Sequence, residues 1–310
     1  MAEMEKNEYR DQRLANMEKL AGFGQKPFGR AYVRTGNLAE IRRDFKEALN
    51  VSAAGRLTTI RSMGKSIFAD IRDGTGKFQV YAQKNALGDQ AFEAFKLLDV
   101  GDHIGIEGQL FTTHAGESTI KIERWELLSK ALLPLPEKWH GLKDVEARYR
   151  ERYLDLIANP EVREFFNKRT MAIREIRNFL FAKGFLEVET PMMQQMAGGA
   201  AARPFVTRYT ALNTDMYLRI APELYLKRLL VGGFDKVFEL NRNFRNEGLS
   251  RTHNPEFTML EIYEAYSNVK GMKDLVEGLI THVAGTIFGG LQVKFGENTI
   301  DFKTPWREVA

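Results

Sequence analysis

The chain has 310 residues, 44% of them hydrophobic and 28% charged, a composition typical of a globular protein with one large or two ordinary domains. It contains no cysteine, so disulfides, cysteine zinc sites and thiol catalysis are excluded. The 45 basic and 41 acidic residues leave a net charge of +4, which permits nucleic-acid binding without arguing for it. No apolar run reaches the about 18 residues of a membrane span and the start is polar, so we expect a cytoplasmic protein with no membrane partner.

The first fifty residues are expected to form an N-terminal helical extension, 1–50. The first thirty residues indicate a charged helix followed by a Gly/Pro stretch, and its apolar stripe is so thin that a peripheral, solvated position is expected. A second helix is predicted over 37–49, because Asn37 is a suitable N-cap and Glu40 completes a capping box.

Between residues 51 and 128 the pattern changes to short strands separated by turns. The predicted strands are 51–60, 66–72, 77–82, 104–111 and 118–127, with a helix at about 89–97. Five strands with a helix after the third are typical of the oligonucleotide-binding (OB) fold β-barrel, and another small barrel is the alternative. We place this domain at 51–130 and a proline-containing linker at 131–158.

The remaining residues, 159–310, are predicted to form an α+β domain in which helices flank an antiparallel sheet. A long helix is expected over 160–183 and ends at Gly184. Pro222 is expected to occupy the first turn of a further helix. The other predicted elements are strands over 185–191, 216–220, 236–245 and 256–266 and that helix over 222–231.

The hairpin predicted over 236–266 carries the most informative side chains. By alternation, Glu239, Asn241, Asn243 and Arg245 share one face of the first strand, and Phe257, Met259, Glu261 and Tyr263 share one face of the second. Arg242, Arg245 and Arg251 are suited to binding phosphate, and Phe257 to stacking on a base. Glu261 and Tyr263 are suited to a cationic group. The alternative is an ordinary exposed hairpin whose charges are solvated.

This hairpin resembles motif 2 of the class II aminoacyl-tRNA synthetases, in the form found in the lysyl-tRNA synthetases. The stretches that carry the resemblance are Phe244-Arg-Asn-Glu-Gly248, His253-Asn-Pro-Glu-Phe-Thr258, the motif 1-like Phe185-Leu-Glu-Val-Glu-Thr-Pro-Met-Met193, 147–156, 198–205 and 218–228. The resemblance runs from about residue 37 to the end. It implies that the barrel is an anticodon-binding OB domain placed before a catalytic domain.

The resemblance implies a lysine–tRNA ligase, in which lysine is activated by ATP and passed to tRNA(Lys). The implied ATP-binding residues are Arg245, Glu247, His253 and Phe257, with Arg245 the catalytic residue on the α-phosphate and the lysine carboxylate. The implied lysine-binding residues are Gly199 and Glu223 at the α-amino group and Glu261 and Tyr263 at the ε-ammonium. A site built to hydrogen-bond a cation rejects analogues that lack it.

Further partners follow from the same resemblance. Phe68 and Gln79 match the positions that stack on and hydrogen-bond anticodon bases, with core and rim packing as the alternative. Pro191 and the helix over 160–183 match a homodimer interface, with a strand stop and a core helix as the alternative. The implied ligands are therefore tRNA(Lys), L-lysine, ATP with Mg2+, and a second copy of the chain; no DNA is expected.

The sequence departs from the family pattern in two places. The family continues well beyond residue 310, so we expect the magnesium ligands, the rest of the lysine pocket and motif 3 to be missing, as in a C-terminally truncated copy. Arg208 and Thr210 replace a His/Tyr-rich pattern. Two other functions stay open: an aspartate or asparagine ligase, which Glu223, Glu261 and Tyr263 disfavour, and a non-catalytic tRNA-binding or dimerising fragment.

Overall fold

The computed structural model describes residues 2–135, 142–248, 250 and 252–308, with side chains from residue 7 onward. The chain forms two compact units, Met1–Pro160 and Glu161–Ala310. In the described residues, no helix is both long enough and apolar enough to cross a membrane.

The first unit contains the closed β-barrel that the strand pattern predicts. Its helices are α1 Ala2–Gly22, α2 Leu38–Arg43, α3 Lys84–Leu87, α4 Asp89–Phe95, α5 Val145–Arg150 and α6 Arg152–Ala158. Its strands are β1 Asn50–Met63, β2 Ser66–Arg72, β3 Lys77–Gln83, β4 His103–Thr112 and β5 Ser118–Ser129. They close in the order β1-β2-β3-β5-β4, and of these pairs only β3 and β5 are parallel.

Alternation along the strands builds the core of the barrel. On β3, Phe78, Val80 and Ala82 are fully buried, whereas Gln79 and Tyr81 between them are partly exposed. Because side chains of successive strand residues point to opposite faces, the first set fills the barrel and the second lines its outer surface.

The N-terminal helix α1 is less peripheral than its thin apolar stripe predicts. Leu20 is 0% exposed and belongs to the barrel core. Arg13 is 8% exposed, and its guanidinium donates to the carbonyls of Val100, Ala131 and Leu133. A solvated position is therefore wrong for this side of α1, because a buried arginine does not register as an apolar position.

Helix α2 begins as predicted but ends early. Asn37 and Glu40 form both hydrogen bonds of a capping box. The helix ends at Arg43, so the prediction up to residue 49 is wrong. Ala48 donates to the carbonyl of Leu110 over 2.9 Å and Leu49 accepts from the amide of Leu110 over 2.9 Å. These bonds to β4 replace the helical ones.

The segment predicted as a linker is partly helical. Of its residues, 136–141 lie outside the described part of the chain, and α5 and α6 follow. Buried Asp155 joins these helices, because its carboxylate accepts from Arg148, Arg152 and Asn159.

The second unit is α+β, as predicted. Its helices are α7 Pro160–Ala182, α8 Glu223–Val231 and α9 Val269–Phe288. Its strands are β6 Leu186–Glu187, β7 Met193–Gln194, β8 Val206–Tyr209, β9 Thr214–Leu218, β10 Lys236–Phe244, β11 Glu256–Glu264, β12 Gln292–Phe295 and β13 Asn298–Asp301. They form the sheets β11-β10-β6, β7-β9-β8 and β12-β13.

The sheet β11-β10-β6 places its apolar face on the helices. Phe238 on β10 is fully buried with Leu180 of α7 and with Phe185. Leu275 of α9 packs against this cluster. The opposite face of this sheet is polar and carries the candidate site residues.

Several details of this unit differ from the sequence prediction. The strand expected over 185–191 is reduced to β6, which pairs with β10 in parallel, so the sheet is mixed rather than purely antiparallel. Pro222 is the N-cap of α8, and the helix begins at Glu223. Helix α9 and the hairpin β12–β13 were not predicted. Asn268, which caps α9 through its side chain, and Gly289, with a φ of 70° at the end, were usable signals.

The departure at Arg208 has a structural role in the hairpin β8–β9. The guanidinium of Arg208 donates to Asp215 over 2.7 Å and to Asn213 over 2.6 Å. Asn213 itself has a φ of 50° and forms the turn. The side chain therefore fastens this turn to the strand before it.

Candidate functional site

The hairpin β10–β11 brings its two polar strand faces together. Glu239 lies directly opposite Glu261, and Asn243 lies directly opposite Phe257. Residues opposite each other in an antiparallel pair point to the same side of the sheet. The candidate site residues of both strands therefore share one surface, as the alternation predicts.

Arg245 and Phe257 form one end of this surface. The guanidinium carbon of Arg245 lies 5.2 Å from the centre of the Phe257 ring. The backbone amide of Arg245 donates to the carbonyl of Pro255 over 2.9 Å, which closes the base of the loop. Nε of Arg245 is buried and has no hydrogen-bond partner among the described residues. A held guanidinium with a free donor beside an aromatic ring suits a phosphate joined to a base.

Glu261 and Tyr263 form the other end. The Tyr263 hydroxyl donates to Oε2 of Glu261 over 2.9 Å. Burial raises the pKa of Glu261; the charges of Glu223 and Glu239 raise it further, and the bond from Tyr263 and the charge of Arg219 lower it. Burial and the neighbouring carboxylates also raise the pKa of Tyr263, so its hydroxyl stays protonated and remains a donor. In the part of the chain that the structure describes, the carboxylate of Glu261 forms no ion pair, and its hydrogen bond comes from a neutral hydroxyl.

Gly199 and Glu223 pack against each other at the start of α8. Gly199 has a φ of 89°, and a Cβ added there would lie 2.9 Å from Cβ of Glu223. Only glycine allows this close approach of the loop to the helix. Nζ of Lys227 lies 2.6 Å from Oε1 of Glu223, in an exposed i,i+4 pair that contributes little to stability.

The loop between the strands carries Glu247 and His253. A cavity of about 630 Å³ is lined by Glu247 together with Asn246 and Arg203. Nδ1 of His253 lies 3.1 Å from the hydroxyls of Ser250 and Thr252. Both side chains are exposed.

Arg251, predicted to bind phosphate, lies outside the described residues. Pro191 is exposed in the stretch that resembles motif 1, and the single chain described does not test its predicted place in a dimer interface.

A buried ion pair beneath the site was missed by sequence reasoning. Arg219 is 0% exposed and Glu239 1%, and their Nη1 and Oε1 atoms lie 2.6 Å apart. A single arginine between Leu218 and Ile220 was the available signal, since a charge inside an apolar run is buried only with a partner.

The outer surface of the barrel carries the predicted anticodon-binding residues. The Phe68 ring lies 4.6 Å from the Tyr81 ring, which lies 5.9 Å from the Phe111 ring. Oε1 of Gln79 accepts from the hydroxyl of Thr119 over 2.9 Å. Tyr81 and Phe111 were not singled out from the sequence, although Tyr81 follows Gln79 at the spacing of one strand face. Partly exposed rings beside a polar side chain suit single-stranded bases.

The described residues form no metal site made of protein ligands alone. Among them, no group of three or more His, Cys, Asp and Glu side chains is placed to hold a metal ion. We therefore assign no metal ligand in this chain.

Both units of the chain are similar to known protein families. Residues 144–310 match the family model of tRNA synthetases class II (D, K and N), and residues 51–128 match that of the OB-fold nucleic acid binding domain. The chain is 52% identical to a lysine–tRNA ligase of Carboxydothermus hydrogenoformans, with 100% of this chain and 64% of that protein covered. It is 53% identical to that of Pelotomaculum thermopropionicum (98% and 60% covered) and 51% identical to lysine–tRNA ligase 2 of Methanosarcina acetivorans (97% and 60%).

The chain thus spans 60–64% of the length of these relatives. The match over 144–310 extends across more than half of the chain and includes the hairpin with Arg245, Glu261 and Tyr263. The chain belongs to the class II tRNA synthetases of the D, K and N family.

Proposed function

We propose that this chain acts as a lysine–tRNA ligase, binding lysine, ATP and tRNA(Lys). The observation that carries the proposal is the shared face of β10 and β11, with Arg245 over Phe257 at one end and Glu261 with Tyr263 at the other. One end suits a nucleotide and the other a cationic side chain. A cytoplasmic location belongs to the same proposal.

In the proposed first step, a carboxylate oxygen of lysine attacks the α-phosphorus of ATP. A bond from that oxygen to phosphorus forms, the bond to the β-phosphate oxygen breaks, and pyrophosphate leaves. Arg245 would neutralise charge on the α-phosphate and the lysine carboxylate, while Phe257 would stack on adenine. Glu247 and His253 would contact the rest of ATP. Positioning and charge neutralisation supply most of the catalysis in such a transfer.

The proposed amino-acid subsite selects for two ammonium groups. Gly199 and Glu223 would hold the α-amino group, and Glu261 with Tyr263 the ε-ammonium. The half-buried carboxylate of Glu261 repels the side chain of aspartate and attracts an ammonium group, so a cationic substrate is favoured.

In the proposed second step, a hydroxyl of the terminal ribose of tRNA(Lys) attacks the carbonyl carbon of the lysyl adenylate, and AMP leaves. Phe68 and Gln79 would recognise anticodon bases on the barrel. A homodimer that uses Pro191 and α7 is part of the proposal. ATP would arrive with Mg2+, for which we assign no ligand and no step.

A second candidate function is tRNA binding through the barrel without catalysis. The observation that favours it is that the barrel is closed and packs around its own core within the first unit. This candidate requires the surface of Phe68 and Gln79 alone.

The deciding experiment is lysine-dependent exchange of pyrophosphate into ATP by the 310-residue chain, with aspartate and asparagine as controls. Exchange with lysine alone supports the ligase. Binding of tRNA(Lys) that weakens with salt, without exchange or lysine binding, supports the second candidate. Exchange with aspartate or asparagine contradicts the assignment to lysine.

A further inference from the structure

Two carboxylates lie side by side on the polar face of the hairpin. Glu239 and Glu261 are cross-strand partners, which places their Cβ atoms about 5 Å apart. Like charges directly opposite each other are destabilising, more so away from water. The site therefore needs a nearby cation if both groups are to be ionised.

Arg219 is that cation, and it is committed to Glu239. Its Nη1 lies 2.6 Å from Oε1 of Glu239, and neither side chain is reached by solvent. Thr190 adds donors to the same carboxylate, its hydroxyl over 2.7 Å and its amide over 3.3 Å. Asn241 is a further neighbour, with Nδ2 3.4 Å from Oε1. Every oxygen of Glu239 is therefore occupied.

Glu261 is in the opposite condition. It accepts a hydrogen bond from the neutral hydroxyl of Tyr263, and it forms no ion pair in the described part of the chain. The charges that act on it come from Glu223 and Glu239, which disfavour its ionised form, and from Arg219, which favours it. Of the two facing carboxylates, only Glu261 is free to receive a cation.

We propose that the buried Arg219–Glu239 pair determines the specificity of the amino-acid subsite by setting its charge. Neutralising Glu239 leaves Glu261 with a single uncompensated negative charge for the ammonium of the substrate's side chain. This inference rests on the proposed function, because it concerns the lysine subsite.

Arg219 also has a role in holding the fold. Its Nε donates to the carbonyl of Arg242 over 3.0 Å, and its Nη1 lies 3.2 Å from the carbonyl of Thr190. Its own carbonyl accepts from Phe244, the residue before Arg245. A substitution of Arg219 alone would change both the charge near the lysine subsite and the backbone contacts that Arg219 makes. The test therefore begins at Glu239.

The test is Glu239→Gln in the full 310-residue chain, with L-lysine and ATP titrated separately by calorimetry. Glutamine keeps the shape and the acceptor oxygen but leaves the charge of Arg219 uncompensated. We expect the Kd for lysine to rise about tenfold, because a cation now meets a positive neighbour. The Kd for ATP, an anion, should stay the same or fall. A purely structural role would weaken both ligands together.

Two further variants secure the interpretation. Glu256→Gln removes a carboxylate paired with Arg242 over 3.4 Å on the exposed side of the same hairpin, and it should change neither Kd. The double change Arg219→Met with Glu239→Gln removes both charges, so it should recover lysine affinity relative to Glu239→Gln alone. It also keeps the test available if Glu239→Gln unfolds the chain by leaving a buried charge unpaired.

The outcomes separate the two claims. If the original chain binds lysine and ATP but Glu239→Gln binds lysine as well as before, or loses both ligands equally, the charge-setting role is wrong and the proposed function stands. If the original chain binds ATP and not lysine, the proposed lysine site is wrong, and the charge-setting role falls with it.

Discussion

Both units bury an ion pair, but the two pairs lie at different places in the fold. In the barrel, alternation sends Phe78, Ile71 and Leu127 into a closed apolar core, and all three are fully buried. The first unit also buries Lys130 with Asp102, which lie just after β5 and just before β4. In the second unit, Glu239 of the buried pair with Arg219 lies within β10, on the strand face that carries Glu261. Burying an ion pair contributes little net stability, whereas burying apolar surface contributes most of it. The charge buried in the second unit therefore lies at the candidate site, whereas the core of the barrel is apolar.

The buried polar atoms that lack a hydrogen-bond partner also differ between the two units. In the described part of the chain, the buried side-chain atoms without a hydrogen-bond partner are Nη2 of Arg219, Oδ1 of Asn243 and Nε of Arg245. All three belong to the second unit, and two lie on the site face. Such groups are rare in native proteins and call for an explanation. A bound polar ligand would explain those beside Phe257.

The largest expected effect tests the barrel side of this contrast. Phe78→Ala should lower the free energy of unfolding by about 3–5 kcal/mol, because it removes a fully buried ring and leaves a cavity. Urea unfolding followed by circular dichroism measures it. Phe28→Ala, at a ring that is 50% exposed, is the control and should cost less than about 1 kcal/mol. Equal losses in the free energy of unfolding for both variants would contradict the inferred difference between the buried core and the exposed surface.

The next effect tests the phosphate end of the site. Arg245→Lys should weaken ATP binding by about 1.5–3 kcal/mol, because lysine keeps the charge but loses the planar fork and its free Nε donor. ATP titration of the full chain measures it. Arg242, also predicted to bind phosphate, alternates to the strand face opposite that of Asn243, so Arg242→Lys should bind ATP normally. An unchanged ATP affinity in Arg245→Lys would mean that Arg245 does not bind the phosphate.

A comparable or smaller effect tests the outer surface of the barrel. Phe68→Leu should weaken binding of an anticodon stem-loop of tRNA(Lys) by about 1–3 kcal/mol, the usual contribution of one stacked base. The dependence on salt should not change, since no phosphate contact is removed. Fluorescence anisotropy at several salt concentrations measures both quantities, with Phe28→Leu as the control. A change in salt dependence alone would argue against stacking.

The smallest effect tests whether the polar face lowers stability. The raised pKa of Glu261 means that folding disfavours its ionised form, so the folded chain is less stable wherever that form prevails. Glu261→Gln should therefore raise the free energy of unfolding at pH 7, by less than about 1 kcal/mol. The gain should vanish below the ordinary pKa of 4.5, where the carboxyl is protonated in both states.

Unfolding in urea at pH 7 and pH 4 measures this difference. The same substitution should weaken lysine binding at pH 7, because the ammonium loses its carboxylate. A stabilised variant with unchanged lysine affinity would separate Glu261 from the proposed subsite. A variant less stable than the original at pH 7 would contradict the inferred cost of the charge.

Much of the fold could be predicted from local patterns. The strand predicted over 66–72 matches β2, and the long helix over 160–183 matches α7 within one residue. The end of helix α2 could not be predicted, because the hydrogen bonds that replace the helical ones come from Leu110, some sixty residues away. Strand β6 was predicted too long, since only two residues find a partner on β10. Contacts distant in sequence decided both ends.

The sequence alone determined which side chains share a face of the hairpin, because alternation along a strand depends only on position. It thereby selected Arg245, Phe257, Glu261 and Tyr263 as site candidates. The tertiary structure decided which carboxylate is neutralised. The register of β10 with β11 sets Glu239 beside Glu261, and the packing of the chain after β9 brings Arg219 to one of them. Charge interactions depend on distance in space, and folding alone sets that distance.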